Sequence, residues 1–191
     1  MELLKQRIIK DGFVLEGHII KVDSFLNHQI DVELINAMGL EFKRRFNQTK
    51  VDKILTIEAS GIAMAVITAQ YFNVPVVFAK KFDATNLDHD HYSSLIYSYT
   101  KQASYQVKVA KRFLLKDENI LIIDDFLANG QAVDGLLDII HQASAHCVGV
   151  GIAIEKGFQS GGKHLRELKI HLESLAIIES IQDNIIKFSD K

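Results

Sequence analysis

Apolar residues recur along the chain with two different periods, and the switches between them lay out an architecture. Leu3, Leu4, Ile8 and Ile9 fall on one side of a helical projection and Gly12 follows as a left-handed cap, which predicts a short opening helix. Phe13 to Val22 is apolar and partly β-branched around Gly17, the pattern of two short strands or one bent strand. After the polar stretch Asp23 to Asp31, Ile35, Met38, Phe42 and Phe46 step by three and four. A helix over Val32 to Phe46 follows, with Lys43, Arg44 and Arg45 largely toward solvent.

Beyond this helix the pattern reads strand, helix, strand. Lys53 to Ile57 and Val74 to Ala79 are apolar runs too continuous for half-exposed strands, and Gly61 to Phe72 is the helix between them, so the unit is a parallel βαβ. A second unit repeats the logic with the strand Ile120 to Ile123, a helix from Gly130 to Ala143 carrying Val133, Leu136, Leu137 and Ile140, and the strand Cys147 to Ile154. Between the units, Asp83 to Ser94 is polar and reads as a mobile loop leading into two alternating strands, Leu95 to Thr100 and Tyr105 to Ala110. Short helices and strands return after Lys156. The fold class is α/β, a parallel sheet flanked by helices, and no repeat or Gly/Ser linker divides residues 1–191 into more than one domain.

Composition narrows the function. The chain has 191 residues, 48% hydrophobic and 24% charged with a single Pro, which excludes a disordered or collagen-like class. Its 22 basic and 24 acidic residues leave a formal net charge of -2, so no basic field exists to hold nucleic acid. No run of 18 apolar residues suggests a membrane span, and the opening residues lack an export signal. The one cysteine, Cys147, lies in an apolar run and reads as a buried thiol, so a cytoplasmic location is expected.

Chemistry concentrates in Ile120 to Ala132. Four apolar strand residues end in Asp124 and Asp125, and a turn containing Gly130 then opens a helix, which puts two acids and a helix N-terminus at the carboxyl edge of a parallel sheet, where open α/β sheets bind ligands. Backbone N–H groups of Ala128, Asn129, Gly130, Gln131 and Ala132 suit a phosphate, whereas the two carboxylates suit hydroxyl donors. A phosphate beside a sugar diol is a ribose 5-phosphate.

The run IDDFLANGQA at Ile123 to Ala132 resembles the diphosphoribose-binding signature of the type I phosphoribosyltransferases, in particular their bacterial purine members. Lys21 to Asp31, Thr56 to Ala63, Val74 to Lys81 and Ile154 to Gln159 resemble them too, so the likeness covers nearly the whole chain. Ala132 departs from the wider superfamily, where Thr or Ser often donates a hydroxyl to the phosphate, which leaves more of that task to backbone donors and to Asn129 or Gln131.

The resemblance implies a core of about residues 36–155 under a base-binding hood made from about 1–35 and 156–191. It implies that Asp124 and Asp125 are catalytic residues fixing the ribose. The turn Glu58, Ala59, Ser60 and Gly61 would hold the leaving diphosphate through its amides, with charge added by at least one of Lys80 and Lys81. Ile20, Asn27, Lys156 and Phe158 would bind the base: the Lys156 ammonium meets a six-oxo group, and the Phe158 ring stacks on the base plane. Xanthine is the expected acceptor and 5-phospho-α-D-ribose 1-diphosphate the donor. Magnesium should arrive with the diphosphate, held by substrate oxygens and water, and a homodimer is expected. The Asp83 to Ser94 segment would close over the reacting centre and exclude water.

Two motifs lead elsewhere and are weaker. Gly149-Val150-Gly151 lacks the third glycine and the turn of a dinucleotide fingerprint, so it reads as a closely packed strand. His89-Asp90-His91 has no further ligands nearby and defines no metal cage. The rival reading from another class is a regulator that senses diphosphoribose without catalysis; it would need a DNA-reading module, and the residues ahead of Lys53 match the base hood instead. A phosphoribosyltransferase preferring guanine or hypoxanthine is the rival among enzymes.

Overall fold

The computed structural model describes residues 1–15, 19–82, 90–98 and 103–189. In chain order the elements are α1 (Glu2–Asp11), β1 (Phe13–Leu15), β2 (Ile19–Lys21), a π-helical turn (Asp23–Asn27), α2 (Val32–Arg45), β3 (Lys53–Ile57), α3 (Gly61–Phe72) and β4 (Val76–Phe82). There follow β5 (His91–Ser98), β6 (Ala103–Ala110), β7 (Asn119–Leu127), α4 (Gln131–Gln142), β8 (His146–Lys156), α5 (Gly161–Glu167), β9 (Leu172–Gln182) and β10 (Ile185–Phe188).

Eight strands form one sheet in the order β10-β9-β8-β7-β3-β4-β6-β5. The pairs β9/β8, β8/β7, β7/β3 and β3/β4 are parallel, as the two βαβ patterns require, while β4/β6, β6/β5 and β9/β10 are antiparallel. β1 and β2 pair antiparallel in a separate two-stranded sheet. The segment after Lys156 extends the main sheet by β9 and β10.

Burial of both faces explains the continuous apolar strands. Leu121 and Ile123 of β7 join one core with Leu4, Ile8, Phe25, Ile35, Met38 and Phe42, whereas Ile120 and Ile122 join another with Val133, Leu136, Ile139 and Ile140 of α4. All four β7 residues are inaccessible to solvent, and each such side chain contributes about 1.5–3 kcal/mol relative to exposure. Val22, Phe25 and Leu26 anchor the π-helical turn into the first core, so the polar look of Asp23 to Asp31 conceals an apolar footing. Asp31 begins α2 by accepting a hydrogen bond from the Leu34 N–H at 3.0 Å.

Several expectations change. Gly12 is extended, with φ -82° and ψ 155°, not left-handed; a Cβ there would lie 2.5 Å from the Ile8 carbonyl oxygen, so close approach explains the glycine. Arg45 does not face solvent freely: it pairs with Glu41 at 2.8 Å and donates to the Ser174 carbonyl at 2.9 Å, tying α2 to β9. β4 starts later than Val74 and continues past Ala79, because Lys80, Lys81 and Phe82 pair antiparallel with β6. β7 runs through the acids to Leu127 instead of ending before them. Of the expected mobile loop, His91 to Ser94 belong to β5 and 83–89 lie outside the described residues, as does His89 of the His89-Asp90-His91 run. Gly149 and Gly151 do serve packing: a Cβ on either would lie within 3 Å of the Phe46 or Phe42 ring.

Candidate active site

The carboxyl ends of β3, β7 and β8 meet at one place. β7 carries Asp124 and Asp125 to that edge with only 4% and 7% of their surface exposed, too buried for ordinary solvated carboxylates. The Asp125 N–H donates to Asp124 Oδ1 at 3.0 Å, and the Asn27 amide donates to Asp125 Oδ2 at 3.4 Å. The second contact brings the π-helical turn, far away in sequence, onto the acid pair. Burial raises the Asp124 pKa well above the usual carboxylate range, the neighbouring Asp125 charge raises it further, and Lys81 partly opposes the shift.

After Leu127 the chain turns through Ala128, Asn129 and Gly130 into α4. Gly130 has φ +90°, a backbone region that glycine enters without a Cβ penalty, which makes the sharp entry possible. This loop lines a cavity of about 500 Å³ through Ala128, Asn129, Gly130, Gln131 and Ala132, and Lys156 lines the same cavity. The Lys156 ammonium stands 5.9 Å from the centre of the Phe126 ring, and burial lowers its pKa. The ammonium is half-buried and makes no ion pair among the described residues.

The turn after β3 lies against the acids. A Cβ on Gly61 would sit 2.9 Å from Asp124 Oδ1 and 2.2 Å from Thr56 Oγ1, so glycine is needed for the first turn of α3 to approach β7. Thr56 Oγ1 is buried there without a hydrogen-bond partner among the described residues. Glu58 braces β4 by accepting from the Lys81 N–H at 2.6 Å, Ser60 caps α3 without a side-chain hydrogen bond, and the Glu58–Ala59 peptide is cis.

Consecutive lysines on β4 take opposite faces. Lys81 pairs in register with buried Val107 and stands 5.2 Å from the Tyr105 ring, on the acid-pair side; Lys80 pairs with Lys108 and lines a different cavity with Phe78. The structure therefore sets Lys81, and not Lys80, beside the candidate site. Ile20 is 6% exposed and belongs to the core, while its neighbour Ile19 lines the 500 Å³ cavity. Phe158 is 41% exposed and is not among the cavity residues; Phe126, Gln159, Tyr97 and Tyr105 are. Phe126 directly follows the acids in the sequence, and an aromatic at that spot is the signal that could have placed it in the cavity.

An open sheet whose carboxyl edge carries a glycine-containing strand-to-helix loop, paired acids and a cation is an architecture suited to ribose-phosphate transfer, and the chain belongs to the family described as the phosphoribosyl transferase domain, matched over residues 22–187. Its relatives include xanthine phosphoribosyltransferase from Alkaliphilus metalliredigens, 58% identical over all of this chain and 94% of that protein. Another is xanthine phosphoribosyltransferase from Laribacter hongkongensis, 59% identical over 98% of this chain and 100% of that one. Adenine phosphoribosyltransferase from Saccharomyces cerevisiae shares the fold with a TM-score of 0.72 at 19% identity, covering 92% of this chain and 99% of its own. The Trypanosoma brucei adenine enzyme, solved with AMP, pyrophosphate and ribose-5-phosphate, gives 0.75 at 17% identity over 96% and 83%.

Proposed function

We propose that this chain transfers the phosphoribosyl group of 5-phospho-α-D-ribose 1-diphosphate to a ring nitrogen of xanthine, giving xanthosine 5'-monophosphate and diphosphate, in purine salvage. The observation that carries the proposal is the convergence of phosphate loop and Lys156 on one cavity next to the buried acid pair. Near-complete mutual coverage and 58–59% identity to proteins named for xanthine support the choice of base.

As the C1–O bond to diphosphate breaks, C1 of the ribose gains positive character. The site meets this with fixed charge and orientation and needs no covalent intermediate. Amides of Ala128 to Ala132 hold the 5-phosphate. Asp124 and Asp125 accept hydrogen bonds from the ribose hydroxyls and lower the energy of the cationic sugar. The turn Glu58 to Gly61, with Lys81, receives the diphosphate. Lys156 donates to the six-oxo group, and Asn27 reaches the base from the hood built by β1, β2 and the π-helical turn.

Buried, adjacent carboxylates are hard oxygen donors of the kind magnesium accepts, and the described residues contain no cluster of three metal-ligating side chains. The fit is to magnesium brought by the donor, which would be held mainly by substrate oxygens and water, with Asp124 and Asp125 the protein oxygens available to assist. When bound, it neutralises charge on the leaving diphosphate.

A homodimer and a cytoplasmic location belong to the same reading; among the described helices none is long and apolar enough to cross a membrane. The test is product formation from the donor, magnesium and a panel of free bases. Xanthine should have the highest kcat/KM, guanine and hypoxanthine lower values, and adenine almost none. An adenine preference overturns the assignment, and donor-dependent DNA binding without turnover of any base makes the chain a regulator. Light scattering at micromolar concentration tests the dimer.

A further inference from the structure

One residue after Ile154, β8 carries a third buried carboxylate, which the transfer chemistry does not use. Glu155 is only 2% exposed. Arg166 of α5 grips it with two hydrogen bonds, at 2.6 and 2.8 Å, and the Ser174 hydroxyl of β9 donates to the same carboxylate. A planar fork of this kind fixes angle as well as distance. Gly162 leaves room for it: a Cβ there would fall 1.9 Å from Glu155 Oε1 and 2.6 Å from an Arg166 nitrogen.

The other end of α5 rests on the phosphate loop. Gly161 N–H donates to the Ala128 carbonyl at 3.0 Å, and the Gly161 Cα is close enough to Gly130 that a Cβ there would lie 3.3 Å from it. A Cβ on Gly161 itself would sit 2.5 Å from the Ala128 oxygen and 2.7 Å from the Gly130 nitrogen, so no other residue fits. Adjacent glycines thus let a seven-residue helix touch the loop at residue 161 and the carboxylate at residue 162. Glu155 immediately precedes Lys156, the cation of the cavity.

We propose that Glu155 and Arg166 are positioning residues that lock the base-side lysine and the phosphate loop into one rigid frame, through α5. Neither touches substrate. The fork sets where Lys156 leaves β8, and the Gly161 contact sets the height of the loop, so donor phosphate and purine are held at a separation fixed by the protein. Misplacing reacting groups by about 1 Å can cost about a hundredfold in rate, which is why such a frame matters to transfer between two bound substrates.

This inference rests on the proposed transfer to a purine, and the experiment separates the two. Arg166→Lys keeps the charge and loses the fork; the pair Glu155→Gln with Arg166→Met removes both charges together, avoiding the cost of an unpaired buried carboxylate. Thermal unfolding, KM for donor and for xanthine, and hydrogen exchange of the Ala128 to Ala132 amides are measured on wild type and both variants. Both KM values should rise about fivefold or more in the folded variants, and the loop amides should exchange about tenfold faster. A change in melting temperature with both KM values and loop exchange unaltered overturns the proposal and leaves the fork a stabilising contact. If wild type turned over no purine, the transfer reading would fail while loop exchange still decided whether the fork holds the loop.

Discussion

Two buried carboxylate sites stand at the ends of neighbouring strands and are treated in opposite ways. At the end of β8, Glu155 receives a bidentate arginine and a serine hydroxyl, so its charge is compensated inside the protein. Near the end of β7, Asp124 and Asp125 are adjacent, and the only side-chain donor to the pair among the described residues is the Asn27 amide at 3.4 Å. Lys156, half-buried, likewise has no ion pair among the described residues. Burying a charge without a partner costs stability, and groups kept in that condition cluster at functional sites. On the proposed reading, the compensated site holds the frame and the uncompensated groups are where substrate binds.

That contrast is most exposed to test at Lys156. Lys156→Ala should lower kcat/KM for xanthine by about thirty- to a hundredfold, the equivalent of about 2–3 kcal/mol for a charged donor, with donor affinity little changed. Equal losses for both substrates would move Lys156 to phosphate binding or to the frame.

Next in size, Asp124→Asn and Asp125→Asn should each reduce kcat/KM about tenfold or more, since a charge-assisted hydrogen bond contributes about 1.5–3 kcal/mol. Both variants should stay folded. Wild-type kinetics in the two would reduce the acids to residues of a sheet edge.

The third test is pH. Because the folded protein raises the Asp124 pKa above its unfolded value, the native state holds a proton that the unfolded chain has released once pH exceeds the ordinary aspartate range. Stability from this group is therefore lost as pH rises from that range through the higher folded value. The wild-type melting temperature should fall relative to Asp124→Asn across that interval, with the gap widest on its alkaline side. Parallel curves would show that Asp124 is compensated after all.

Smallest is Ser174→Ala, which removes one of three donors from Glu155 and should cost about 1 kcal/mol, or about 2–4 °C in melting temperature, while the kinetics stay near wild type.

Much of this was legible in the sequence because parallel strands buried on both faces must read as apolar runs, and β3, β7 and β8 do. The signature after Ile123 carried the acids and the glycine loop for the same local reason: turn, glycine and helix start are consecutive. What local pattern could not supply was the facing of particular residues. Lys80 and Lys81 look alike until the β4/β6 register assigns them to opposite faces, and Ile19 and Ile20 divide between cavity and core by the same alternation. β4 outran its expected end because its last residues pair with a strand more than twenty residues later. The Glu155 fork was invisible because Arg166 and Ser174 come from separate elements, and no spacing relates them.

Cys147 has a practical consequence. Burial pushes its thiol up to about 11, so at neutral pH it is almost wholly protonated, and the protonated form is not the nucleophile. It is also the only cysteine in the chain. A cysteine introduced at an exposed position, such as Leu95 at 71% exposure on β5, would be the sole thiol to take up a maleimide dye quickly. The native sequence thus offers site-specific labelling without first having its own cysteine removed, and a fluorophore on β5 could report ligand-dependent movement beside the cavity that Ile96 and Tyr97 line.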